Sequence, residues 1–211
     1  MATLQQGILG GFSGKVGPVV GSSWKGKAVI RAKALSIHNP NTEEQQKVRA
    51  HFALLAQFVS RSSGFINVGF KTQAQGMTEC NAALAANYDN GITGTFPNYA
   101  LNYSALQVSK GSLDLPYSPS ASLDNSNLTI GWTDNSDLCN GSPEDKLMLL
   151  VYNSSKEQVV YNTSAAMRNE TTYVFNCPST WNGDDIEVYI AFRSAKDDTT
   201  SKSAYMGHFS L

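Results

Sequence analysis

The 211-residue sequence has no uninterrupted apolar run of about 18 residues, so no segment reads as a membrane-crossing helix. Histidine and cysteine are scarce, three of each, and neither type is clustered. Cys80, Cys139 and Cys177 form no C-x-x-C pair, which excludes the common zinc and redox motifs. His38, His51 and His208 share no ligand spacing, and the positions four residues either side of His51 are Lys47 and Leu55. There is no G-x-S-x-G elbow, no phosphate loop and no G-x-G-x-x-G following a strand. The run Gly7–Gly14 is glycine-rich, but without a strand before it and a helix after it the run is no phosphate cradle. Nothing here calls for a cofactor. A cation ahead of the first apolar stretch is missing too, since Lys15 is the first basic residue. The N-terminus therefore does not read as a Sec signal peptide. The expected location is a virion or the extracellular space after signal-independent release, or alternatively the cytoplasm.

What is present is a globular composition, 41% hydrophobic and 16% charged, with 9 Phe, 9 Tyr and 3 Trp favouring β-structure. Charge is divided unevenly. Residues 1–110 hold 10 Lys+Arg and 4 Asp+Glu, a net of +6, while residues 111–211 hold 6 and 13, a net of −7. Six glycines fall between Gly7 and Gly21, a density that permits turns and close backbone approach. A hairpin is expected next, Lys15–Val20 and Trp24–Ala34 joined by Gly21-Ser22-Ser23, with Pro18 marking the first strand as an edge or bulged strand. In its second strand Trp24, Ala28, Ile30 and Ala32 are expected on one face, and Lys25, Lys27, Arg31 and Lys33 on the other. Thr42 and Gln45 read as a capping box for a helix carrying Val48, Phe52, Leu55 and Val59 on one stripe, widened by Leu54 and Phe58. Ser62-Ser63-Gly64 ends it, the short apolar stretch Phe65–Phe70 follows, and a second helix is expected over Thr72–Tyr88. Asn90-Gly91 turns the chain into strand-like residues Ile92–Val108, broken at Pro97.

Lys110-Gly111 marks an expected domain boundary, separating an N-terminal α+β region, residues 1–110, from residues 111–211. The second region holds seven strand signals: Leu113–Leu115 with Ala121–Leu123, Asn127–Trp132, Lys146–Asn153, Gln158–Asn162, Thr171–Cys177, Asp185–Arg193 and Ala204–Phe209. Leu128, Ile130 and Trp132 alternate inward, as do Ile186, Val188, Ile190 and Phe192, with Tyr189 opposite. Trp132 in the second strand and Tyr189-Ile190-Ala191-Phe192 in the sixth resemble the fibronectin type III pattern. The fold class expected is mainly β with α, the second half being a fibronectin type III/immunoglobulin-like antiparallel β-sandwich. That topology puts Cys139 and Cys177 near opposite poles, so free thiols are expected. Loop carboxylates Asp184, Asp185, Asp197 and Asp198 read as solvated side chains, with calcium binding as the other option.

Three further segments carry a wider resemblance. GGFSGKVGPVVGSSWKGKAVIRAKA, NPNTEEQQKVRAHF and NYSALQVSKGSL together resemble a family of uncharacterised Bacteroidetes proteins of similar length, to which no activity is attached. The second segment is also similar to a short stretch of some phage virion proteins. With no catalytic constellation in view, the expectation is a non-enzymatic structural subunit of a repeating assembly, a virion component or an extracellular filament. Trp24, Lys25, Lys27, Arg31 and Lys33 would form its interface with other copies or neighbouring assembly proteins. Nucleic acid gripped by the same cations is the less favoured partner, because the whole chain is slightly acidic. The alternative is a glycan- or protein-binding module that uses the sandwich loops, with Trp181 as an exposed platform.

Overall fold

The structure, a computed structural model, describes residues 2–4 (backbone only), 11–36, 40–137 and 140–211. His38, Cys139 and the glycines at 7 and 10 lie outside them. The chain divides into two compact units, Met1–Glu43 and Glu44–Leu211.

The first unit is one antiparallel sheet of β1 (Ala2–Leu4), β2 (Gly14–Val16), β3 (Val19–Trp24) and β4 (Lys27–Ala32), in the order β1-β4-β3-β2. Its turns correct the expected hairpin. The β3–β4 turn is Lys25-Gly26, with φ of 47° and 77°. Two consecutive left-handed residues continue the right-handed twist of the flanking strands, which is why Gly follows Lys here. Gly21-Ser22-Ser23, expected as the turn, lies inside β3. Gly21 serves close approach instead: a Cβ there would meet the Phe12 ring at 2.6 Å. Pro18 sits in the β2–β3 turn after Gly17, and β2 is an edge strand.

The second unit begins with helices. α1 (Glu43–Arg61) starts directly after Thr42, where the cap was expected. Leu55, Phe58 and Val59 are buried, but Val48 and Phe52 are exposed, so only the second half of the expected stripe reaches a core. α2 (Ser63–Gly69) is the short apolar segment, burying Phe65 and Ile66. The expected second helix is shorter: a 3₁₀ turn at Lys71–Gln73 leads to Gly76, whose φ of 75° stops helical growth. α3 (Glu79–Asn87) then starts afresh, with the Thr78 hydroxyl accepting from the Asn81 N–H at 3.2 Å. β5 (Ile92–Thr95) and β6 (Asn98–Leu101) form a hairpin across Phe96-Pro97.

Seven strands complete the chain: β7 (Tyr117–Asp124), β8 (Asn127–Thr133), β9 (Lys146–Asn153), β10 (Gln158–Asn162), β11 (Thr172–Asn176), β12 (Asp185–Arg193) and β13 (Ala204–Ser210). They build two antiparallel sheets, β11-β8-β7 and β10-β9-β12-β13, the three-plus-four sandwich expected of the fibronectin type III-like class. Leu128, Ile130 and Trp132 face Leu147, Leu149, Val151, Ile186, Val188, Ile190 and Phe192 in the core between the sheets.

β9 and β12 are buried along nearly their whole length because they have a core on each side. Their other face, with Met148, Leu150, Tyr152, Tyr189 and Ala191, packs under Leu55, Phe58, Val59, Phe65, Ile66 and Phe70 of the helical segment. Doubly covered strands read as continuous apolar runs rather than alternation. The expected boundary at Lys110-Gly111 therefore separates no cores, since the helices before it share one with the sandwich after it. The chain passing this point is tied down at the Gly69 carbonyl, which accepts from the Lys110 N–H at 2.9 Å and the Thr200 hydroxyl at 3.0 Å.

The sandwich pole holds a fully buried cation. Arg168 donates to Asn135 Oδ1 and to the Asp114 carbonyl, each at 2.8 Å, and its guanidinium carbon lies 4.6 Å from the centre of the Phe192 ring. Its Nε is 3.3 Å from Asp145 Oδ2, an ion pair without hydrogen-bond geometry. Trp132, buried as expected, donates from Nε1 to the Arg168 carbonyl at 2.7 Å.

Candidate functional site

The N-terminal sheet collects the cations singled out in the sequence. Residues 11–36 contain Lys15, Lys25, Lys27, Arg31 and Lys33 and no carboxylate. Residues opposite one another on antiparallel strands share a face. Trp24 pairs with Lys27, and Val20 pairs with both Arg31 and Lys15. Trp24 thus shares the face of Lys27 and Arg31, not that of Ala28 and Ile30 as expected. The reversal at Lys25-Gly26 breaks the single run of alternation on which that expectation rested. Lys15 joins the group, and only the strand register reveals it. Lys25 is in the turn, and Lys33 follows β4, its N–H donating to the Pro18 carbonyl at 2.7 Å.

The described side chains of this sheet bury almost nothing. Among the described residues of 11–43, Gly21 is the sole buried one. Trp24 is 52% exposed and Val16 66%, and Val19 and Phe12 are exposed as well. A sheet gains little from backbone pairing alone and needs an apolar face covered to hold together. Its order puts β1 and β2 at the margins, each with one row of N–H and C=O groups outside the sheet's own ladder.

The second expected site is not a surface. Trp181 is 2% exposed, packs in the core between the sandwich sheets, and donates from Nε1 to Gln158 Oε1 at 2.9 Å. It cannot serve as an exposed platform, because its ring is buried in that core. The loop carboxylates are partnered. Asp184 Oδ2 lies 2.6 Å from Lys156 Nζ and accepts from Asn153 at 2.8 Å, bonds that hold its carboxyl below the usual range. Asp198 pairs with Lys71 at 2.7 Å. The Thr199 N–H holds Asp197 low. No group of three or more His, Cys, Asp or Glu among the described residues is arranged to hold a metal ion. Cys80 and Cys177 are free thiols, pushed up chiefly by burial.

One polar cluster was invisible to sequence reasoning. Glu187 on β12 is directly opposite His208 on β13. Its buried carboxylate takes His208 Nδ1 at 2.9 Å and the Tyr205 hydroxyl at 2.6 Å. The Glu187 bond raises the His208 pKa above its ordinary value, against partial desolvation. His51 lies elsewhere, its ring 4.8 Å from that of Tyr88 and 5.5 Å from that of Tyr99. Strand register and tertiary packing create such neighbours, and no local motif announces them.

A search of curated proteins finds no match to the chain. Residues 11–207, which include all the candidate interface positions, match a family of unknown function, DUF6266, and the chain belongs to that family.

Proposed function

We propose that the protein is a non-enzymatic structural subunit of a repeating assembly, in which the N-terminal sheet of one copy docks on the Glu44–Leu211 unit of the next. The observation that carries this reading is a four-stranded sheet in which, among the described residues, Gly21 alone is buried, Trp24 and Val16 are exposed, and β1 and β2 form the margins. Such a sheet reaches a stable state by adding a strand to a neighbour or by covering its face with one. Charge supports the same partner. Residues 1–43 carry 5 Lys+Arg against 1 Asp+Glu, a net of +4, and residues 44–211 carry 11 against 16, a net of −5. Contact between different patches on identical copies builds rings or filaments. A virion component or an extracellular filament of bacterial or phage origin fits both this and the resemblances in the sequence.

The test is light scattering on eluting full-length protein at 50 mM and 500 mM salt. Mass is expected to rise with concentration and to fall at high salt, and Lys27→Glu with Arg31→Glu is expected to give monomer at both. A monomer at every concentration and salt would count against the reading. Association lost on nuclease treatment would shift it to nucleic acid held by the same cations.

A further inference from the structure

Within the Glu44–Leu211 unit, a cavity of about 230 Å³ opens between α1, β6 and the β9–β10 turn. Phe58 and Tyr152 line it with ring centres 5.1 Å apart, and Tyr103 lies 5.8 Å from Tyr152. Gln57 and Glu157 stand at its edge, hydrogen-bonded to each other. Glu157 has a left-handed backbone, φ 52°, a conformation that costs a non-glycine residue free energy and is over-represented where a side chain must be aimed.

Tyr152 makes the cavity more than a packing gap. Its ring is buried, but its hydroxyl, which has no hydrogen-bond partner among the described residues, stays open to solvent, as does that of the half-buried Tyr103. A phenol with a buried ring and an open hydroxyl offers an apolar face and a polar tip to a guest, and can exchange water for a ligand's hydroxyl. Both phenols belong to residues that line a space open to a guest. Burial keeps both phenols protonated, so both are neutral donors.

We propose that this cavity binds a single neutral, polyhydroxylated ring, one sugar residue. Size and charge select that class. The volume lies below the roughly 300 Å³ at which drug-sized pockets begin, which suits one ring rather than a chain. An organic cation would find the Glu157 carboxylate already paired, since Arg61 Nη2 lies 3.6 Å from its Oε2. An anion would meet Glu157 itself. A pyranose offers C–H edges to the faces of Tyr152 and Phe58, and hydroxyls that accept from the two phenols and donate to Glu157.

The experiment is saturation-transfer NMR on the full chain with glucose, galactose, mannose and N-acetylglucosamine, each at millimolar concentration, and choline and acetate as charged controls. At least one sugar is expected to receive ring-proton saturation, with a Kd in the millimolar range or tighter. Tyr152→Phe, which removes one oxygen and keeps the ring, is expected to weaken it about three- to tenfold. Signal from choline or acetate alone, from no compound, or undiminished in Tyr152→Phe would overturn the proposal.

Discussion

Replacing Arg168 by Met would test how the sandwich is held at its pole. The side chain is fully buried and meets the Asp145 carboxylate, Asn135 Oδ1, the Asp114 carbonyl and the Phe192 ring. Methionine keeps an unbranched apolar stem near the Phe192 ring, but it is shorter, uncharged and supplies no donor. Asp145, itself 1% exposed, would keep the Ser142 N–H at 2.7 Å and the Ala195 N–H at 3.2 Å but lose its cation. Removing one partner of a buried ion pair costs about 3–5 kcal/mol, because a charge is left without compensation. Against a total stability of about 5–15 kcal/mol, that is about a fifth or more. Urea unfolding followed by tryptophan fluorescence would read the loss, since Trp132 bonds the Arg168 carbonyl and its ring centre lies 5.7 Å from that of Phe192. Adding Asp145→Asn removes the stranded charge and is expected to recover at least about 1 kcal/mol. A loss under about 1 kcal/mol in the single variant, or no recovery in the double, would refute the assignment of this pair as a mutually dependent unit.

Two further outcomes follow from buried contacts. His208 has a raised pKa in the fold, so its protonated form favours the folded state; that contribution is complete below about pH 6.5 and disappears as pH climbs through the raised value. Glu187→Gln, which weakens the cause, is expected to flatten the decline in urea midpoint between pH 5.5 and 8.5, by less than about 1 kcal/mol because His208 is half-exposed; an unchanged profile would contradict the pairing. Trp181→Ala is expected to cost about 3–5 kcal/mol in thermal or urea unfolding, as a core truncation does, and near-neutral stability would show that the ring does not support the sandwich core.

The sandwich was largely legible in the sequence because its strands are punctuated by polar loops. β9, β10 and β12 begin and end where the apolar signals do. What could not be read was the second use of β9 and β12. Alternation in Ile186, Val188, Ile190 and Phe192 announces one buried face, but Tyr189 and Ala191 on the other face are equally buried under the helices. A domain boundary drawn from composition at Lys110 misses that shared core. In the N-terminal sheet the misreading was of one glycine. Gly21 looks like a turn residue, yet the shorter Lys25-Gly26 pair makes the turn, and Gly21 exists to admit Phe12. That shift moved Trp24 to the cationic face. The Glu187–His208 couple and the cavity at Tyr152 depend on residues far apart in sequence, so no spacing rule reaches them.

Hydrogen exchange of residues 14–32 in full-length protein, measured at low and at high concentration, tests most directly whether the N-terminal sheet is completed by another copy. The account predicts rapid exchange of these amides in dilute monomer, protection that grows with concentration, and steady slow exchange in β9 and β12 throughout. Slow exchange of β2–β4 in the dilute monomer, equal to that of β12, would contradict it, because the sheet would then be stable alone.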